Sequence, residues 1–255
     1  MKGLDGKAVL MVGGAGGIGS ATSLRLAAEG ARVAVGDLDQ SAAEVVAANI
    51  EAADGEAFAF RLDIGDQASV ASAVQATVKA FGGLDAVHVN AADLSPDTIG
   101  NDSDAITIDL DVFDRTIRTG LRGHLICAQL ALPELLARGG GSLVFTSSAA
   151  AFVGEPERPA YAVAKSGINA LVRHIGSKWG KQGVRANAIA PGLVLTDTVQ
   201  QGLEESFRAL ALKRSRSFRL GRPDDIAAMV AFLMSSDGEW INGQVMSVDG
   251  GATLR

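Results

Sequence analysis

The chain has 255 residues, with 23 basic and 29 acidic side chains and a formal net charge of −6. That balance argues against a binder of nucleic-acid backbones. One cysteine, Cys127, excludes an internal disulfide and a zinc site built on several thiolates.

The first apolar run, residues 8–12, is too short for a signal-peptide core or a membrane span. No later stretch reaches the roughly 18 apolar residues that a span needs. The expectation is a reduced, soluble, cytoplasmic protein with no membrane and no nucleic-acid partner. Runs rich in Val, Ala and Ile follow at 31–36, 56–61, 84–89, 142–146, 184–189 and 244–248. They are near-continuously apolar rather than alternating, as parallel strands buried on both faces require. Helical spacing fills 19–29, 41–53, 67–81, 112–137, 161–179 and 224–235. Strand–helix alternation without a linker predicts one α/β domain over 1–255: a doubly wound, Rossmann-type fold with a seven-stranded parallel sheet flanked by helices.

The first strand runs into Gly13-Gly14-Ala15-Gly16-Gly17-Ile18-Gly19 and then a helix. Glycines there let the backbone turn tightly and approach a pyrophosphate, and the helix start favours the anion. Two glycine patterns fit, Gly14-Gly16-Gly19 and Gly13-Gly17-Gly19. Asp37 lies 18 positions past the last glycine, at the end of the second strand. A carboxylate there accepts ribose hydroxyls and repels a 2′-phosphate, and Leu38 stands where a phosphorylated ribose would want a base. NAD is therefore expected over NADP.

Two stretches break the rhythm. Residues 93–111 form a polar, Asp-rich connection near the upper limit of loop length. Its Asp102, Asp104, Asp109 and Asp111 lack the glycine and terminal Glu of a calcium loop, and read as solvated. Residues 196–222 carry Lys213, Arg214, Arg216, Arg219 and Arg222, and read as an interface or a solvated lid. His88, His124 and His174 are too scattered for a metal motif, and His124 is expected to pack or to cap a helix turn.

Tyr161 and Lys165 are four apart at the start of a helical segment, so they share a face. A lysine ammonium there lowers a phenol's pKa from about 10 toward neutrality and makes it a proton shuttle for an alcohol oxygen. Ser148, just past the fifth strand, can hydrogen-bond that oxygen, with Ser147 as its competitor.

With these residues the sequence resembles the short-chain dehydrogenase/reductase family from about Gly6 to the C-terminus. The likeness also rests on Asp63-Ile64, Asn90-Ala91, Asn187 through Gly192 with Thr196, Asn242-Gly243-Gln244 and Asp249-Gly250-Gly251. It implies Gly13, Gly17, Ile18 and Gly19 at the cofactor pyrophosphate, Asp37 and Leu38 at the adenosine ribose, and Asp63 and Ile64 at the adenine. Asn90 and Ala91 would lie along the riboses, and Pro191, Gly192, Val194 and Thr196 at the carboxamide. Tyr161 would be the acid/base, Ser148 the donor to the substrate oxygen, and Lys165 a partner of the nicotinamide ribose. Phe152, Leu94, Leu193, Phe218 and Glu155 fall on segments expected around the substrate. The implied activity is NAD-linked interconversion of a secondary alcohol and a ketone, cyclic or hydroxysteroid-like, oxidation favoured, in a homotetramer. A 3-oxoacyl-thioester reductase and a non-catalytic NAD-binding sensor are the alternatives. The sequence departs from the family at Val12, Val89 and Ala92. Gly120 stands where the family has an Asn that helps to hold a water in the proton relay, which predicts an active enzyme with a rewired relay.

Overall fold

Apolar strands separated by amphipathic helices can bury both faces of a sheet only in a layered arrangement. The computed structural model describes residues 1–202 and 204–254. In chain order it builds β1 (Ala8–Val12), α1 (Gly17–Ala28), β2 (Arg32–Asp37), α2 (Gln40–Glu51), β3 (Ala57–Arg61), α3 (Gln67–Phe81) and β4 (Ala86–Val89). There follow α4 (Leu110–Ile117), α5 (Gly123–Ala137), β5 (Gly141–Thr146), α6 (Pro159–Trp179), β6 (Val184–Pro191), α7 (Asp197–Gly202), α8 (Glu205–Arg214), α9 (Pro223–Met234) and β7 (Val245–Val248). The sheet order is β3-β2-β1-β4-β5-β6-β7, and every pairing is parallel, as expected from the run pattern.

Side chains leave a strand alternately to its two faces. In β1, Ala8, Leu10 and Val12 join the core under α3, α5 and α6, while Val9 and Met11 join the core under α1, α2 and α9. No helix among the described residues is long and apolar enough to cross a membrane. The chain reverses direction across the sheet between β1 and β4, where open α/β sheets form a crevice at their carboxyl edge.

The structure corrects three boundaries. The helical segment expected over 112–137 is interrupted: α4 and α5 are joined by a wider, π-type turn at Arg118–Arg122. Gly120 lies in it, the residue with the weakest hold on helical geometry after proline. The first helix starts at Gly17 rather than Gly19. The basic stretch after Thr196 contains two short helices, α7 and α8, that its composition did not reveal.

Candidate active site

The turn after β1 decides between the two glycine patterns. Gly13 has φ +79°, and a Cβ there would lie 2.7 Å from the Ala91 backbone. A Cβ at Gly17 would lie 2.6 Å from the Thr196 side chain, and one at Gly19 would strike the Gly13 carbonyl. Gly16 has nothing within 4 Å. Close packing therefore favours the Gly13-Gly17-Gly19 spacing.

These glycines line a cavity of about 970 Å³ at the carboxyl edge of the sheet, at the upper end of the size usual for ligand sites. Its walls hold the start of α1, whose free amides and dipole attract an anion. Asp37 closes one end: its Oδ2 accepts from Ala15 N at 2.9 Å and its Oδ1 from Asp39 N at 3.2 Å. Leu38 lies beside it, 59% exposed. Asp63 accepts from Gly65 N at 2.8 Å, next to buried Ile64. Asn90 ties the glycine turn to β5, donating to the Gly13 carbonyl at 3.0 Å and accepting from the Thr146 hydroxyl at 2.9 Å. Ala91, Pro191, Gly192, Val194 and Thr196 complete the wall. Every residue expected at the cofactor except Gly19 borders this one cavity, and Gly19 packs directly behind it.

Ser148, Tyr161 and Lys165 open on the same cavity. The start of α6 positions the last two. Pro159 occupies its first turn, where no amide donor is lost. Asp102 then accepts from Ala160 N at 3.1 Å and Tyr161 N at 2.8 Å. This corrects the reading of Asp102 as solvated: it is buried against the amides at the helix start. The partners are 58 and 59 residues away, so no local pattern signals them.

Lys165 is buried, and its Nζ donates to the Thr146 carbonyl at 2.7 Å. The ammonium lies over the Tyr161 ring, 5.6 Å from its centroid. Burial lowers the Lys165 pKa to about 8. Burial also raises the Tyr161 pKa, opposed by the neighbouring Ser148 hydroxyl and the Arg158 charge. In the ligand-free protein the direction therefore runs against the expected lysine-lowered phenol. Lys165 is bound to a strand carbonyl and sits across the ring face, and desolvation of the phenolate outweighs the other influences. Ser147 is removed as a competitor, because its buried hydroxyl donates to Asn169 Oδ1 at 2.7 Å and is within 3.1 Å of the Lys165 carbonyl.

The substrate side departs further from expectation. Leu94 and Leu193 line the cavity, but Phe152, Glu155 and Phe218 do not. Glu155 pairs with Arg158 at 3.3 Å, and Phe218 is 92% exposed. Arg219 is engaged by Asp225 through two hydrogen bonds of 2.6 and 2.7 Å. Among the described residues there is no cluster of three or more His, Cys, Asp or Glu able to hold a metal ion.

A family model described as enoyl-(acyl carrier protein) reductase matches residues 13–253. A probable short-chain type dehydrogenase/reductase of Bradyrhizobium diazoefficiens is 38% identical, covering 97% of this chain and 87% of that one. The 7alpha-hydroxysteroid dehydrogenase of Bacteroides fragilis is 31% identical over 100% and 97% of the two chains. A solved structure of a 7 alpha-hydroxysteroid dehydrogenase complexed with NADH and 7-oxo glycochenodeoxycholic acid superimposes with a TM-score of 0.91 at 30% identity, covering 99% of this chain and 96% of that one.

Proposed function

Because the chain belongs to the short-chain dehydrogenase/reductase family, we propose that it is an NAD(H)-dependent oxidoreductase interconverting a secondary alcohol and a ketone. The observation that carries this reading is that Ser148, Tyr161 and Lys165 border the cavity that also contains the glycine turn and Asp37. The residues present fit a dinucleotide. The close packing of Gly13 and Gly17 brings the backbone to a pyrophosphate, and the Asp37 carboxylate sits where it accepts ribose hydroxyls and repels a 2′-phosphate.

The bound nicotinamide supplies the site that takes or gives a hydride. The chain's own residues handle the oxygen and its proton. In the oxidative direction Tyr161 must first lose its own proton, and the phenolate Oη then takes the hydroxyl proton of the alcohol while the Ser148 hydroxyl donates to the same oxygen. In reduction the phenol returns the proton to the developing alkoxide. The raised pKa of Tyr161 keeps it protonated near neutrality in the ligand-free protein, the form that reduction requires. Lys165 would hold its charge against the ring and orient the nicotinamide ribose. Asp63 and Ile64 would bound the adenine, Asn90 and Ala91 the riboses, and Pro191 to Thr196 the carboxamide. The likeness to hydroxysteroid dehydrogenases, with the apolar Leu94 and Leu193 on the wall, supports a cyclic, hydroxysteroid-like substrate. We read the unit as one domain working as a cytoplasmic homotetramer; the exposed Leu125 on α5 and Val163 on α6 would offer apolar surface to another copy.

The test is NADH absorbance on mixing with a library of secondary alcohols and ketones. Turnover with at least one cyclic member is expected. Tyr161→Phe should lower kcat by about 10²–10⁴-fold with NADH affinity retained. A wild-type protein inert across the library with both nicotinamide cofactors would sink the reading.

A further inference from the structure

His88 lies on β4, fully buried, and takes no part in the chemistry described above. Its register partners are Met11 of β1 and Val144 of β5, so the layer around it is apolar. An imidazole buried there needs a hydrogen-bond partner to offset its lost hydration. It finds one diagonally across the sheet. Its Nε2 lies 3.0 Å from the hydroxyl of Thr146, two residues past Val144. His124, by contrast, packs its ring on Phe145, with centroids 6.1 Å apart.

Donor counting gives the direction of the His88 bond. The Gly13 carbonyl only accepts, so the Asn90 atom 3.0 Å from it is the amide nitrogen. The amide oxygen of Asn90 therefore faces Thr146, 2.9 Å from its hydroxyl, and it too only accepts. A threonine hydroxyl has one hydrogen, and this bond uses it. The contact with His88 must then be donated by the ring. His88 carries its proton on Nε2, and Nδ1 is a bare acceptor with no partner among the described residues. The opposite tautomer would set two lone pairs against each other at 3.0 Å and bury an orphan N–H, the costlier defect. Burial lowers the ring's pKa to about 3, so it is neutral and has one proton to place.

The chain of donors ends on the residue that shapes the cofactor turn. The Gly13 amide donates to the Gly36 carbonyl at 2.8 Å, and the Gly13 carbonyl that Asn90 fastens lies where a Cβ on Gly19 would strike it. Thr146 borders the cavity, and His88 stands behind it, outside the wall. The Lys165 ammonium reaches the Thr146 backbone carbonyl rather than its hydroxyl.

We propose that His88 is a positioning residue for the cofactor: as the Nε2–H tautomer it starts a one-way chain of hydrogen bonds, through Thr146 and Asn90 to the Gly13 carbonyl, that holds the glycine turn in its binding shape. Its N–H occupies the Thr146 oxygen and so keeps the hydroxyl hydrogen aimed at Asn90, and bonds in such a chain strengthen one another. The proposal rests on the NAD-linked reading above, because the turn matters there as the seat of the dinucleotide.

The test begins with the wild type. Long-range ¹H–¹⁵N NMR of the ligand-free protein should show a protonated Nε2 and a bare Nδ1 for His88 near neutral pH. An Nδ1–H tautomer or a doubly protonated ring would overturn the proposal. His88→Leu should raise the Kd for NADH about three- to tenfold by calorimetry. Because the bond from Lys165 uses a different atom of Thr146, kcat for ketone reduction should change less than about twofold. His88→Gln, whose amide can donate at similar reach, should restore the affinity, and the shorter His88→Asn should not. Thr146→Val should weaken NADH binding as His88→Leu does, and the double variant should bind no more weakly than Thr146→Val alone. Losses that multiply in the double variant would overturn the proposal, as would a glutamine variant no better than asparagine. If the leucine variant does not fold, the glutamine and asparagine pair carries the same contrast. Failure of the wider reading looks different: the wild type then binds no NADH, while the tautomer still reports on the chain of bonds.

Discussion

The cofactor half and the substrate half of the cavity are built by different means. Around β1, β2 and β4 the wall is backbone. Gly13 sits at positive φ against Ala91, Gly17 against Thr196, and Asn90 fastens the turn to β5. Across the crevice the wall is side chains on long connections, Leu94 and Leu193, with Leu94 largely exposed. A wall of backbone constrains residue type at each position, because few alternatives fit. A wall of exposed side chains constrains almost none. On the proposed reading the first half would bind a fixed dinucleotide, and the second would be free to differ with substrate.

The largest test of this contrast is Gly13→Ala. It forces φ +79° on a residue with a Cβ and drives that Cβ into the Ala91 backbone. We expect it to cost about 2–4 kcal/mol in denaturant unfolding and to abolish measurable NADH binding by calorimetry. Gly16→Ala, three residues on with open space around it, should change stability by less than about 1 kcal/mol. Equal losses from the two would break the comparison.

Replacing Asp37 by Ser together with Leu38→Arg should turn cofactor preference toward NADPH on the order of 10²-fold in kcat/KM, about 2.7 kcal/mol. The pair removes a repelling carboxylate and adds a partner for a 2′-phosphate. Unchanged selectivity would mean that Asp37 serves only its bonds to Ala15 and Asp39.

Lys165 offers a test through pH. Its folded pKa, about 8, lies below its ordinary 10.5, so between those values the unfolded chain binds more protons and stability rises with pH. Below pH 8 the buried charge carries its full penalty. Lys165→Met should therefore stabilise the protein at pH 7 by roughly 1–3 kcal/mol while removing turnover. Its advantage should fade as pH rises from 8 through 10.5, as read from denaturant melts across that range. A methionine variant less stable than wild type at pH 7 would show that the bond to the Thr146 carbonyl outweighs desolvation.

The smallest effect belongs to Phe218, exposed and outside the cavity wall. Phe218→Ser should leave stability within about 0.5 kcal/mol and NADH affinity unaltered. A change confined to KM for the alcohol would place Phe218 over the substrate in the working complex, and no change would place it outside.

How much of this was legible in the sequence follows the same division. The seven strands, their parallel direction and the glycine turn followed by Asp37 could be read because each is a local pattern with a local cause. Tyr161, Lys165 and Ser148 were found by spacing. The phenol's upward shift was not, because it arises from burial by distant elements. Asp102 looked like one of several loop acids, since its partners at Ala160 and Tyr161 come from another part of the chain. The break at Gly120 was noticed as an altered residue, but the π-type turn could not be, because 112–137 keeps its apolar spacing through it.

Asp102 carries a consequence for how such a fold can diversify. Its two bonds to the first turn of α6 make one carboxylate the landing point of the long connection after β4. Before it, the Asp93 carboxylate only folds the connection on itself, accepting from Ser95 and Thr98. The residues ahead of Asp102 can therefore be lengthened, shortened or exchanged while its bonds keep Tyr161 in register. The connection behaves as an interchangeable lip hinged at one carboxylate.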